Sequence, residues 1–180
     1  MRRIRYQVAM SLDGYIAGPN GEYDWIPNDP DIDFAAIFAQ YDTVLIGRRS
    51  YEPMVAAGTD SMLAAMKTFV FSRTMSPKNH PNVTLLDDRW EETVAALRDQ
   101  PGRDIWLFGG GQLFQSLLAA DLVDTVELAI VPILLGRGVP VAPSPLAITQ
   151  LKMTQHTVYE KSGIVLLEYN IRSAKDDHTG

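Results

Sequence analysis

Apolar and polar residues alternate at the start of the chain. Ile4, Tyr6, Val8 and Met10 are separated by Arg5, Gln7 and Ala9, the period of two that predicts a strand. A loop of Gly, Pro and Asp comes next (GPNGEYDWIPNDPD). Asp29 before Pro30 has the form of an N-cap followed by proline at the first helical position. A helix from there aligns Phe34, Ile37, Phe38 and Tyr41 on one face. Residues 43–46 read as a short buried strand, GRRSYEPM as the opening of a helix, TFVFS ending at Ser72 as a strand, and 83–86 as another. Asp88 followed three residues later by Glu91 predicts a capping box for a helix over 90–99. IWLF, three glycines and a helical QLFQSLLAA come after it. The period then returns to two over 125–131, 152–159 and 164–171. The last two are separated by Glu160-Lys161-Ser162-Gly163, a hairpin signal. Strands alternating with helices and closing on a hairpin predict a three-layer α/β fold, a mostly parallel sheet with antiparallel edge strands.

Composition narrows the function classes. The 180 residues hold 16 Lys+Arg against 22 Asp+Glu, a net charge of −6, and 46% are hydrophobic. That balance belongs to a folded chain and argues against a nucleic-acid partner, which calls for a basic stripe. There is no cysteine, which excludes disulfides, thiolate metal sites and a cysteine nucleophile. The longest apolar run, residues 128–135 with Pro132 inside it, falls far short of the ~20 residues that span a bilayer. The N-terminal MRRIRYQVAMSLDG is too interrupted for a signal-peptide core, so a cytoplasmic location without a membrane partner is expected. His80, His156 and His178 are not spaced as metal ligands, and no metal is expected. No repeat or linker divides the chain. One domain over 1–172 is expected, followed by a polar tail over 173–180.

The chemistry lies just beyond the inner strands, where open α/β sheets bind ligands. Gly47-Arg48-Arg49-Ser50 offers a tight turn, a helix N-terminus, two guanidinium groups and a hydroxyl, all suited to an anion. Ser72-Arg73-Thr74 places an arginine where the 2′-phosphate that distinguishes NADP from NAD can be paired. Gly109-Gly110-Gly111 lets backbone amides approach a pyrophosphate at a helix N-terminus. The triplet is neither the GxGxxG fingerprint nor a P-loop. The two arginine motifs alone read as readily as solvated turns, whereas three glycines where one would serve a turn point to a ligand against this backbone; a dinucleotide phosphate explains all three together.

VAMSLDGYIAG, DTVLIGRRSYE, VFSRT, LFGGGQLFQSLL and LVDTVELAIVPILLGRG resemble, in order from about residue 3 to about residue 171, the dihydrofolate-reductase-like superfamily. The branch they resemble is that of stand-alone bacterial proteins similar to the reductase (RibD C-terminal) domain of riboflavin biosynthesis. The resemblance implies an eight-stranded mixed sheet and an NADPH-dependent reductase acting on a small heterocycle, of the 5-amino-6-(5-phosphoribosylamino)uracil reductase or dihydrofolate reductase type. It places cofactor contacts at Ala9, Trp25, Gly47, Arg48, Arg49, Ser50, Ser72, Arg73, Gly109, Gly110, Gly111, Gln112 and Leu113. The implied proton donor is an acid in the first turn of the first helix: Asp31, then Asp33, with Asp29 the choice when counting forward from Trp25. Phe34, Phe38 and Tyr51 would line the substrate pocket with Trp25. Asp13 would touch substrate or cap the turn at Gly14.

Two positions depart from the pattern. Met66, with Lys67 beside it, stands where folate enzymes carry a carboxylate-clamping arginine, and a lysine is not a bidentate clamp. Phe108 stands where the riboflavin branch has a substrate-bonded acid. There is also no room for a deaminase domain. A non-catalytic NADP(H)-binding module of the same fold is therefore the rival reading. Arg137 is a candidate contact for an anionic substrate or a partner subunit. The resemblance also implies a two-fold homodimer, for which residues 128–135 are the candidate surface.

Overall fold

A computed structural model describes residues 1–171, so the polar tail expected over 173–180, with His178, lies outside the described residues. In chain order the elements are β1 (Ile4–Ser11), β2 (Tyr15–Ala17), α1 (Phe34–Phe38), β3 (Tyr41–Gly47), α2 (Arg48–Ala57), β4 (Lys67–Phe71) and β5 (Thr84–Leu86). They continue with α3 (Trp90–Asp99), β6 (Asp104–Gly109), α4 (Gly111–Ala119), β7 (Thr125–Val131), β8 (Val139–Pro140), β9 (Leu151–Tyr159) and β10 (Ile164–Ile171). Eight strands form one sheet in the order β5-β4-β3-β6-β1-β7-β10-β9. Every pairing from β5 to β7 is parallel, and β10 pairs antiparallel with both β7 and β9. This is the mixed, mostly parallel sheet with a C-terminal hairpin that the periodicity predicts.

Alternation divides each strand between two faces. Ile4 and Tyr6 of β1, Leu45 of β3, and Ile105 and Leu107 of β6 enter the core beneath α3 and α4 with Val94, Leu97, Phe114 and Leu117. Burying each such side chain contributes about 1.5–3 kcal/mol. Tyr41, Val44, Ile46, Val70 and Trp106 point the other way, toward Phe38 of α1 and Tyr51 and Met54 of α2.

Several local expectations change. Asp29-Pro30 does not start the first helix. The Asp29 carboxylate accepts from the amides of Asp31 (2.9 Å) and Ser162 (3.1 Å), which holds this stretch as a turn tied to the β9–β10 connection. Helix α1 begins at Phe34 instead, capped by Asp33, which accepts from the Ala36 amide at 2.9 Å. Asp88 does not cap α3 either: Arg89 occupies the N-cap, and its amide donates to Asp87 at 3.1 Å. Within residues 128–135, the β7 residues 128–130 are half-buried between β1 and β10, Val131 is buried, and Leu134 is strongly exposed at 69%. Exposed apolar side chains cluster on the edge strand β9, at Leu151, Met153 and Val158. Strands β2 and β8, which pair antiparallel, carry no strand signal because each is too short to display a period. Among the described residues no helix is long and apolar enough to cross a membrane, and no cluster of His, Asp and Glu could hold a metal ion.

Candidate functional site

The parallel strands β1, β3, β4 and β6 carry their C-terminal ends to one rim, with the glycine triplet at its centre. The three glycines answer to different constraints. Gly109 has φ +102°, a conformation L side chains rarely adopt, and a Cβ there would lie 3.3 Å from the Tyr6 ring. A Cβ on Gly111 would overlap the carbonyl oxygen of Pro140 and lie 3.0 Å from that of Val141. Gly111 therefore lets the chain after β8 cross over the start of α4. Gly110 is different. Its φ is −72°, and a Cβ would meet Ile16 Cδ1 and Ser50 Oγ at 3.7 Å, ordinary van der Waals contact. The protein's own packing leaves room for a side chain at Gly110.

Gly110 lies where two helices begin. Gly47 is the N-cap of α2 and Gly110 the N-cap of α4, and neither helix start has a side-chain cap. A Cβ on Gly47 would stand 3.6 Å from the Gly109 carbonyl oxygen and 3.9 Å from the Gly110 nitrogen, so the two helix starts adjoin. Uncapped first-turn amides at two adjoining N-termini favour an anion between them. Gly47, Arg48, Arg49, Ser50, Gly109, Gly110, Gly111 and Gln112 are thus brought together. The Leu113 amide donates to the Gly110 carbonyl at 3.0 Å, and its side chain is in the core. Arg48 approaches Glu52 one turn on, at 3.9 Å; Arg49 is exposed and has no ion pair among the described residues. At the end of β4, Ser72 Oγ accepts from the amides of Thr74 (3.2 Å) and Met75 (3.0 Å), a turn that projects Arg73 outward. Arg73 is 79% exposed, with Asp88 at 3.4 Å.

Beside the rim, on the α1 face of the sheet, lies an aromatic wall. Phe34 stacks on Phe38 (6.1 Å between ring centroids), Phe38 packs on Trp106 (5.3 Å), and Trp106 meets Phe108 (5.0 Å) and Tyr41 (5.9 Å). Tyr51 instead sits in the core beneath α2, edge-on to His80 at 5.7 Å. The floor beside this wall comes from β1, β7 and β10, where Ala9, Ala129 and Leu166 are register partners. One rung away, Gln7, Glu127 and Glu168 are likewise aligned. Ala9, Ala129, Leu166, Gln7 and Glu168 are all half-buried: the five-residue α1 is too short to cover this part of the sheet. Glu127 is buried against Arg5, which donates to its two oxygens at 2.6 and 2.8 Å. Burial, then the neighbouring Glu127, pushes the Glu168 carboxyl above its ordinary value.

The three candidate acids differ in their surroundings. Asp29 is buried and accepts two amides, which hold its carboxyl below the usual carboxylate range. Asp33 caps α1. Asp31 is exposed and accepts from Lys161 Nζ of the hairpin turn at 2.7 Å, a partnership that raises the Lys161 ammonium. Asp13 accepts from Ser11 Oγ (2.6 Å) and from the amides of Leu135 (3.1 Å) and Gly136 (2.7 Å), and these bonds keep its carboxyl low. It ties the turn after β1 to the loop that carries Arg137. The Gly14 amide donates to the Ser11 carbonyl, not to Asp13. Trp25 is half-buried, with its indole N–H on the Glu22 carbonyl at 3.0 Å. Sequence patterning misses Gln7, Trp106 and Ala129, and it puts Tyr41 on the first helix, whereas Tyr41 opens β3. Gln7 had a signal, since alternation puts it on the face of Ala9; the others need the strand order.

Comparison with known proteins places this architecture. The family model of the RibD C-terminal domain matches residues 2–166. The chain is 35% identical over 180 residues to the uncharacterized protein YyaP of Bacillus subtilis (strain 168), covering 94% of this chain and 95% of that protein. Among solved structures, a putative riboflavin biosynthesis protein from Shewanella sp. PV-4 superimposes with a TM-score of 0.80 at 28% identity, covering 96% of this chain and all (100%) of that one. A dihydrofolate reductase from Enterococcus faecalis, complexed with NADP(H), gives 0.68 at 16% identity, covering 95% and 97%, and shares the fold. Matched by the family model along nearly its whole length and folded as these relatives are, the chain belongs to the RibD C-terminal domain family.

Proposed function

We propose that the protein is an NADPH-dependent reductase that reduces a C=N or C=O bond of a small heterocycle, pyrimidine ribosylamine-like or pterin-like. The observation that carries this reading is Gly110, free of internal packing demands and set between two uncapped helix starts. That is where the diphosphate of a dinucleotide fits. Gly47 to Ser50 and Gly109 to Gln112, with the Leu113 backbone, hold the phosphates, Ser72 and Arg73 take the 2′-phosphate, and Ala9 and Trp25 flank the nicotinamide. NADPH, when bound, supplies the hydride. The chain orients the acceptor against Ala9 and excludes water with Trp25, Phe34 and Phe38; Tyr51 supports that wall from beneath. Asp31 gives the proton to the reduced nitrogen or oxygen, directly or through a water it holds, with Asp33 second and Asp13 bracing the loop around the substrate. The reading also includes a cytoplasmic homodimer with a place in riboflavin chemistry.

The discriminating experiment is a titration of wild type and Arg73→Ala with NADPH and NADH. Loss of a charge-assisted contact lowers NADPH affinity by about 1–3 kcal/mol and leaves NADH nearly unchanged. Equal losses for both cofactors remove the 2′-phosphate role. Tight NADPH binding without oxidation on any pterin or pyrimidine makes the protein a binding module.

A further inference from the structure

Resting on that reading, we infer that the Tyr6 hydroxyl is a positioning group for the cofactor site: it moors the chain after β8 over the glycine triplet and so fixes the start of α4 that receives the diphosphate. Tyr6 is fully buried on the sheet face opposite the aromatic wall, and three parts of the site converge on it. Its ring lies against Gly109, where a Cβ would stand 3.3 Å from Cε2 and 3.8 Å from the hydroxyl oxygen. It stacks on Phe114, in the first turn of α4, with ring centroids 4.0 Å apart and planes 8° from parallel. Its hydroxyl donates to the Val141 carbonyl at 2.9 Å. Burial keeps the hydroxyl well above the ordinary tyrosine range, so it remains a donor at neutral pH.

Val141 is where the strap after β8 is held. Its amide donates to the Gly14 carbonyl at 2.9 Å, its carbonyl receives Tyr6, and further along the Gln115 side chain of α4 donates to the Pro145 carbonyl. Residues 140–145 are thereby laid along the first two turns of α4. The Val141 carbonyl is also one of the two that close on Gly111. The Phe114 amide donates to the Gly110 carbonyl at 3.1 Å, so the helix is wound from Gly110 while its earlier amides stay uncapped by any side chain. A helix start that is free on one side frays. One pressed between a buried ring and a moored strap presents its amides in a fixed direction, and such a site loses less affinity to ordering. The ring fills the core; only the hydroxyl reaches the strap. Tyr6 is therefore a positioning residue, acting on the ligand through α4 and the triplet.

The test compares wild type, Tyr6→Phe and Gln115→Ala as nitrogen-15-labelled full chains, with NADPH and NADH titrated by fluorescence. Phenylalanine keeps the stack on Phe114 and removes the hydroxyl alone. In ligand-free Tyr6→Phe the Gly111 amide signal moves. The Phe114 and Val141 amides exchange with solvent at least about fivefold faster, relative to Ile105 in the middle of the sheet, than they do in wild type. NADPH affinity falls about fivefold, as for one lost neutral hydrogen bond, and the preference for NADPH over NADH is unchanged because Arg73 is untouched. Gln115→Ala, which frees the strap from outside the core, changes Val141 exchange and NADPH affinity in the same direction. An unmoved Gly111 signal or an unchanged NADPH affinity in Tyr6→Phe overturns the inference. So does an acceleration shared equally by Ile105, which makes the hydroxyl a contributor to global stability alone. Wild-type exchange and affinity in Gln115→Ala overturn the role of the strap whatever Tyr6→Phe does. A wild type that does not bind NADPH overturns the reductase reading, and the exchange rates still decide whether Tyr6 moors the strap.

Discussion

Gly110 and Gly111 adjoin in sequence, but only Gly111 is held to glycine by the protein's own packing, and that contrast can be measured. In Gly110→Ala the new methyl group meets Ile16 and Ser50 at ordinary contact distance, so the folded state is little disturbed. It stands, however, between the two helix starts. The expected result is a thermal midpoint within a few degrees of wild type and an NADPH affinity at least about tenfold lower. Gly111→Ala drives its methyl into the carbonyls of Pro140 and Val141, and overpacking against backbone destabilises by about 1–3 kcal/mol. Thermal melts with NADPH titrations check both; a Gly110→Ala protein that binds NADPH normally sinks the diphosphate assignment. The sequence makes the triplet conspicuous but cannot say which glycine faces a ligand. That depends on Pro140 and Val141, which only the folded chain brings onto the start of α4.

At the scale of elements, legibility tracks the number of residues that carry a signal. Strands β1, β7 and β10 each show alternation over seven or eight residues and are readable to within one residue. Caps rest on one side chain, and there the chemistry misleads: Asp29 and Asp88 have the right side chains for N-caps, but Asp29 serves the hairpin turn and Asp87 takes the amide nearest Asp88. Pairing is equally invisible to periodicity. Glu127 and Glu168 each fit their own strands, yet the register sets them side by side, a like-charge pair that Arg5 offsets chiefly for Glu127. A carboxyl whose pKa is raised on folding favours the fold when protonated, and that stability is lost as pH rises through its folded pKa. Glu168→Gln removes the charge, so the variant should match wild type below about pH 4, near the ordinary glutamate range, and exceed it at neutral pH. Urea denaturation at the two pH values checks this; a neutral-pH loss of stability in Glu168→Gln contradicts it.

For the whole molecule, the open question is what meets the outer edge of the sheet. β9 is an edge strand, and its side chains sort by face. Met153 pairs with Tyr169, His156 with Leu167 and Val158 with Val165, so they continue the apolar face of β7 and β10. Met153 and Val158 are nevertheless 50% and 51% exposed. An edge strand of nine residues with an apolar face is a template for association unless something covers it. The proposed homodimer covers it with a second copy, and a two-fold contact through this patch would bury on the order of 1,200–2,000 Å² in total if it is a standard stable interface. Light scattering should then give twice the chain mass for wild type and the monomer mass for Met153→Glu with Val158→Lys, both with intact NADPH binding because β9 is the far edge of the sheet, four strands from the glycine triplet at the end of β6. The far-ultraviolet spectrum of the double variant should be unchanged, since both side chains already face solvent in the single chain. A wild-type monomer at all concentrations would leave β9 without its second copy, and a variant that still dimerises would move the interface off this patch.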